Sequence, residues 1–300
     1  MPLISVILPA YNGEHFLQES ITSLLTQTFT DFELIIVNDA STDATEERVL
    51  SFDDPRIRYL SHSRNQGVAT ATCTGLASAT GKYLALLDQD DIALPQRFEQ
   101  QVRLLNGQPR LTVAGGQMSC FGASDATASA PLVDAEIKAN LLSGTSNLYN
   151  PTVMIRHDFL LRHNLRWNSA QGIIFDWDLF VEAMFAGARF ANLPIPLIRY
   201  RVHEQQQSKD QNTLRETRAA IRLKIMTAFF PHLTADERVQ LEPLLQWIAP
   251  PPLSRAQVLT GLELIARARA HQRSTCGESR DVVNNFLLAC EQRWRNAMAQ

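Results

Sequence analysis

The chain has 300 residues, 45% of them hydrophobic and 20% charged, with a formal net charge of −3. That is the composition of an ordinary globular protein, with material for one large domain or a domain and an appendage. The charge gives no general pull toward nucleic acid or anionic lipid, and no apolar run approaches the roughly 18–20 residues of a membrane span.

In chain order, Leu3–Leu8 is a short β-rich run ended by Pro9, and Glu14–Thr26 carries Phe16, Leu17, Ile21, Leu24 and Leu25 at helical spacing. Phe32–Val37 is a second strand, and Ser41-Thr42-Asp43 supplies the cap of a helix through Leu50. Ile57–Leu60 is a third strand, and Asn65-Gln66-Gly67 opens a helix of small residues to Ala79. Tyr83–Leu87, an apolar run opened by Gly81-Lys82, reads as a buried parallel-type strand. This alternation predicts a largely parallel, doubly wound α/β sheet. Its polar turns, Tyr11-Asn12-Gly13, Asn38-Asp39, Arg64-Asn65 and Asp88-Gln89-Asp90-Asp91, would gather at one sheet edge.

Beyond Leu94 the pattern predicts a helix over Pro95–Leu105, a strand over Leu111–Cys120 and a mobile loop over Gly122–Pro131. A strand over Thr152–Ile155, a helix over Trp177–Phe185 and a strand near Leu197–Tyr200 follow. The rest is helical: Leu214–Phe229, Asp236–Ile248 and, after Pro250-Pro251-Pro252, Arg255–Ala270 and Arg280–Ala297. Cys73, Cys120, Cys276 and Cys290 show no C-x-x-C spacing and read as reduced thiols of a cytoplasmic protein. Met1-Pro2 lacks a basic n-region, so no signal peptide is expected.

The acidic cluster carries the most chemistry. Ligands of open α/β sheets bind beyond the carboxyl ends of the strands. Three carboxylates crowded there repel one another, and oxygen ligands of this kind suit Mg²⁺ or Mn²⁺ bridging to phosphate oxygens. The plainer alternative is a solvated turn leading into the helix near Leu94-Pro95.

Four segments together, Ser5-Val6-Ile7-Leu8-Pro9-Ala10-Tyr11-Asn12, Ile35-Ile36-Val37-Asn38-Asp39-Ala40-Ser41-Thr42-Asp43, Arg64-Asn65-Gln66-Gly67 and Leu87-Asp88-Gln89-Asp90-Asp91, resemble the inverting family-two glycosyltransferases of the GT-A fold. The resemblance is dense over residues 3–105 and thinner to about 208. It implies a Rossmann-like, mostly parallel sheet over 1–208, with 1–105 as the nucleotide-sugar half, 106–208 as the acceptor half and 209–300 as a C-terminal helical appendage.

The resemblance also implies roles. Pro9, Ala10 and Tyr11 contact the nucleoside, and Asp39 accepts from the imide N–H of a uracil- or thymine-type base. Arg64 and Asn65 lie near base and phosphates, Asp88 reaches ribose or metal-bound water, and Asp90 is the direct metal ligand. Ile174-Phe175-Asp176-Trp177-Asp178-Leu179 stands where the family commonly presents Glu-Asp-x-x-Leu, with Phe175 in place of the Glu. Asp176 is then the base for the acceptor hydroxyl, and an apolar neighbour suits it by raising its pKa. Helix capping is the alternative for Asp176, and Asp178 reads as structural. Tyr200-Arg201-Val202-His203 resembles the segment whose His ligates metal or contacts diphosphate. Trp167 and Trp177 fit a sugar platform or core packing.

The implied activity moves a sugar from a UDP- or dTDP-type donor to an acceptor hydroxyl with inversion. The acceptor would be a glycan or a lipid-linked molecule, and the setting bacterial cell-surface polysaccharide or lipopolysaccharide synthesis, with no nucleic-acid partner. A nucleotidyltransferase would show a Gly-rich basic loop after the first strand, and a phosphatase would carry its Asp-x-Asp on that strand. A non-catalytic nucleotide-sugar-binding or scaffold protein is the alternative that Phe175 favours. Residues 255–297 hold seven basic and four acidic residues on helices with one apolar face each. Those faces either pack on one another and the catalytic domain, or dock peripherally at the inner membrane face beside a lipid-linked acceptor.

Overall fold

The computed structural model describes residues 1–145, 147–168, 174–203, 214–248, 250–271 and 273–299. The described chain divides into two compact units: Met1–Leu132 with Leu148–Gln206, and Val133–Asn147 with Gln207–Gln300.

The first unit is built on a nine-stranded sheet. Strands β1 (Ile4–Ala10), β2 (Phe32–Asn38), β3 (Ile57–Ser61) and β4 (Tyr83–Leu86) alternate with helices α1 (Leu17–Leu25), α2 (Thr45–Leu50) and α3 (Val68–Ser78). These four strands are parallel, in the order β3-β2-β1-β4. Both faces of β1, β2 and β4 are covered, which is why their sequences are continuous apolar runs rather than alternating ones. Ile4, Val6, Leu8, Leu34, Ile36, Tyr83 and Ala85 pack with Leu17, Ile21 and Leu24 of α1 into one core.

After β5 (Ile92–Ala93), α4 (Arg97–Gly107) and β6 (Val113–Gly122), the sheet becomes mixed. Strand β8 (Met154–Arg156) lies antiparallel between β4 and β6, and β9 (Phe190–Val202) runs parallel to β6. Within the segment expected as a mobile loop, two residues form β7 (Thr127–Ala128), which pairs with β6. Strand β9 starts at Phe190, earlier than the sequence suggests, because Pro194 and Pro196 interrupt the pattern; the register shifts beside Gly116 and Gln117 accommodate them. Helices α6 (His157–Arg162) and α7 (Phe175–Phe185) complete this unit.

The second unit gathers α5 (Asp134–Leu141) with α8 (Arg215–Phe229), α9 (Ala235–Leu245), α10 (Arg255–Ala270) and α11 (Arg280–Ala299). Helices α9 and α10 open on capping boxes at Thr234/Glu237 and Ser254/Gln257. Leu262 and Ile265 of α10 and Val283, Leu287 and Cys290 of α11 are buried, whereas Leu259 is exposed. Arg222 is buried against Glu242 and also donates to the carbonyls of Leu142 and Ser143, so its charge and donors are matched inside this unit. No described helix is long and apolar enough to cross a membrane.

Candidate active site

The strand order reverses about β1 and β4, and the crevice beyond their carboxyl ends is where a ligand fits such a sheet. The turn after β1 presents Pro9, Ala10 and Tyr11, and the turn after β4 presents Asp88-Gln89-Asp90-Asp91. Tyr11 is exposed and Ala10 is buried.

The loops after β1 and β2 are stitched together. Ser41 Oγ accepts from the Asn12 N–H at 2.9 Å, and Asn12 Oδ1 accepts from the Thr42 N–H at 2.9 Å. Ser41 therefore does not cap α2. That helix begins at Thr45, whose N–H donates to Asp43 Oδ1 at 3.0 Å. Asn12 and Ala40 both adopt positive φ, 47° and 58°, backbone strain of the kind held at functional sites.

Asp39 is buried at 2% exposure. His62 Nδ1 donates to Asp39 Oδ1 at 2.7 Å, and the Gln66 and Gly67 N–H groups donate to the same carboxylate at 2.7–3.0 Å. The carboxylate thus anchors the loop that carries Arg64 and Asn65, both exposed. Gly67 enters α3 at φ 87°, a conformation glycine adopts without strain. A base meeting Asp39 would share oxygens already engaged in pinning this loop.

The acidic turn is held from several sides. Ser20 Oγ, on α1, lies 2.7 Å and 2.6 Å from the Gln89 and Asp91 carbonyls. Arg201 donates its N–H to Asp91 Oδ1 at 2.9 Å and its Nε to the Asp90 carbonyl at 2.9 Å. Arg97, fully buried, donates to the Leu86 carbonyl at 2.7 Å and to Gln101 Oε1 at 3.2 Å. Burial lowers its pKa to about 9, and the nearby Asp91 and Asp88 oppose that shift, so it remains the internal counter-charge of the cluster at neutral pH. Asp91 is completely buried, and burial followed by the charges of Asp88 and Asp90 holds its carboxyl well above the usual range.

His203 Nε2 donates to Asp90 Oδ2 at 2.8 Å. The antiparallel pairing of β5 with β9, Ile92 opposite Arg199, brings the Tyr200–His203 segment alongside the acidic turn. Phe16 backs it, its ring 4.9 Å from that of His203 and 4.7 Å beneath the Arg201 guanidinium. Asp90 and His203 form a two-residue donor set of carboxylate oxygen and imidazole nitrogen. Among the described residues no third His, Cys, Asp or Glu joins them in a metal-holding group. Two protein ligands still fit Mg²⁺ or Mn²⁺, which keep several positions for water and substrate phosphates.

Asp176 lies in the first turn of α7, and its Oδ1 accepts from the Trp177 N–H at 2.8 Å. The N-cap residue, Ile174, makes no side-chain capping bond. Burial raises the Asp176 pKa to about 6, against those hydrogen bonds. Burial, then Asp90, then Asp176 push Asp88 up to about 7. Asp176 is thus close enough to act on Asp88 through its charge, although 88 positions separate them in sequence. Asp178 is buried, as are Trp167 and Trp177, so neither indole offers an exposed sugar platform. The sequence reading missed Phe16, Ser20, His62, Gln89 and Arg97 as site residues. Their spacing marks them only as members of a turn, a strand end or a helix.

Residues 5–168 match the family described as Glycosyl transferase family 2. An uncharacterized glycosyltransferase of Haemophilus influenzae is 31% identical over 252 residues, 79% of this chain and 77% of that protein. The Escherichia coli enzyme WfgD, a UDP-Glc:alpha-D-GlcNAc-diphosphoundecaprenol beta-1,3-glucosyltransferase, is 41% identical over 103 residues, which cover 34% of this chain and 41% of WfgD. Among solved structures, Staphylococcus aureus TarS 1–349 in complex with UDP-GlcNAc superposes with a TM-score of 0.68 over 98% of this chain and 92% of that one. At 14% identity that likeness shows the common fold. With the GT-A architecture shared and more than half of the chain matched, the protein belongs to glycosyl transferase family 2.

Proposed function

We propose that this glycosyltransferase moves a sugar from a UDP- or dTDP-type nucleotide sugar to an acceptor hydroxyl with inversion at the anomeric carbon. The observation that carries the reading is the meeting of Asp88, Asp90 and His203 with Asp176 at one edge of the sheet. One group of carboxylates faces the donor side, and a separate carboxylate of raised pKa is available to the acceptor.

In this reading Pro9–Tyr11 and the loop pinned by Asp39 receive the nucleoside, and Arg64 offers fork-shaped donors to anionic oxygens. Asp90 and His203 would hold a divalent cation, Mg²⁺ or Mn²⁺, which when bound supplies positive charge to the departing diphosphate. Asp88 lies beside them and orients ribose or bound water. Asp176 takes the proton of the acceptor hydroxyl as that oxygen attacks. A pKa of about 6 leaves it ionised at neutral pH yet more basic than an ordinary Asp. Phe175, which stands in place of an acid, is buried, and burial is what raises the Asp176 pKa.

The named activity of WfgD, with a UDP-sugar donor and a diphosphoundecaprenol acceptor, supports a lipid-linked acceptor and a role in cell-surface polysaccharide synthesis as part of this proposal. Cytoplasmic residence with peripheral contact at the inner membrane face belongs to the same reading. A screen of nucleotide sugars by thermal shift with Mn²⁺, followed by nucleoside-diphosphate release with the stabilising donor, tests it. Stabilisation without any turnover would favour the non-catalytic binding protein instead.

A further inference from the structure

The residue between the two aspartates of the acidic turn has a second role written into the geometry. Strands β1 and β4 run in register as far as Ile7 and Leu86, and the Leu87 N–H still donates to the Ile7 carbonyl. Beyond that point β1 continues only with β2 as its partner, to Ala10. The side chain of Gln89 bridges the gap. Its Oε1 accepts from the Tyr11 N–H at 2.9 Å, and its Nε2 donates to the Tyr11 carbonyl at 3.0 Å. One amide side chain thus reproduces the paired bonds of a strand ladder between the end of β1 and the acidic turn.

Gly13 supplies an independent observation. A Cβ at position 13 would sit 2.4 Å from Gln89 Oε1 and 2.8 Å from its Cδ. The Gly13 backbone therefore lies against the Gln89 amide, and a side chain at position 13 would displace that amide from Tyr11. On the other side, the Gln89 and Asp91 carbonyls are tied to Ser20 of α1.

We propose that Gln89 is a positioning residue that fixes the nucleoside-facing turn Pro9–Tyr11 relative to the cation-facing turn Asp88–Asp91, so that the two ends of one donor are met together. The inference rests on the function proposed above and adds a residue to it. Without the bridge each turn still binds its own part of the donor, but the joint gain from engaging both is reduced.

The experiment is calorimetric titration of UDP, with and without Mn²⁺, on wild type, Gln89→Ala, Gly13→Ala and the double variant, with melting temperatures recorded beside it. We expect Gln89→Ala to weaken UDP binding in Mn²⁺ by about tenfold and to leave the Mn²⁺-free affinity nearly unchanged. Gly13→Ala should do the same by displacing the amide. The double variant should be no worse than Gln89→Ala alone, because the clash has no partner left. Undiminished Mn²⁺-dependent binding in Gln89→Ala, or additive losses in the double variant, overturns the inference while the function stands. Equal weakening with and without Mn²⁺, tracking a lower melting temperature, also overturns it, since that is general destabilisation. A wild-type protein that binds neither UDP nor dTDP with Mn²⁺ overturns the proposed function, and the inference with it.

Discussion

His203 Nε2 and Asp90 Oδ2 lie 2.8 Å apart, joining positions separated by 113 residues. The contact exists because two residues, Ile92 and Ala93, pair with β9 directly after the acidic turn. Phe16 and Arg201 then fix the imidazole and the backbone around it. If His203 shares a cation with Asp90, His203→Ala should lower Mn²⁺ affinity of the UDP complex by at least about tenfold, read by Mn²⁺ titration, with little change in melting temperature. Unchanged Mn²⁺ affinity would assign the imidazole to holding Asp90 alone.

Asp176→Asn keeps the shape of the side chain but cannot take a proton. Turnover should fall by roughly 10²–10⁴ while donor affinity stays nearly unchanged. The base works ionised, so wild-type turnover should decline as pH drops through about 6. That acidic limb should be missing from the residual activity of Asp176→Asn. Parallel loss of donor affinity would place Asp176 in the donor site.

The same raised pKa has a consequence for stability. A carboxyl at 3.8 when unfolded and about 6 when folded favours the folded state most below 3.8, and this contribution is lost as pH rises through about 6. Asp176→Asn should therefore stabilise the cation-free protein above that pH, by less than about 3 kcal/mol given partial solvent access. Near pH 3.8 the gain should vanish. Urea melts in EDTA at the two pH values check the sign.

Ala40 holds a φ of 58° beside Asp39. A β-carbon in that region costs roughly 1–2 kcal/mol, and glycine removes the clash at some cost in chain entropy. Ala40→Gly should raise stability by about 1 kcal/mol, measured by chemical denaturation, with UDP binding retained. A destabilised variant would mean that the Ala40 methyl contributes packing that outweighs the strain.

The parallel part of the sheet was largely legible in the sequence, since its strands are apolar runs and each ends in a polar turn. The turns that carry Asp39, Asp88 and Asp90 could be placed together because a parallel sheet puts such turns at one edge. The roles of Gln89 and His62 could not be read there, because they depend on partners 78 and 23 positions away. Strand β5 escaped notice for its length, two residues, although it carries the junction that brings His203 to Asp90. Ser41 looked like a helix cap by type and position, but the opposing loop offered its hydroxyl the Asn12 N–H instead. In α10, Leu259 has helical spacing with Leu262 and Ile265 yet stays exposed, because neighbours and not spacing decide which flank of an apolar face is covered.

The central claim is a division of labour between two aspartates at one edge: Asp90 on the donor side and Asp176 on the acceptor side. Calorimetric titration of UDP in the presence of Mn²⁺, on wild type, Asp90→Ala and Asp176→Asn, tests it most directly. We expect tight binding by wild type, a loss of most of it in Asp90→Ala, and wild-type affinity in Asp176→Asn. Full binding by Asp90→Ala, or a loss confined to Asp176→Asn, would contradict it.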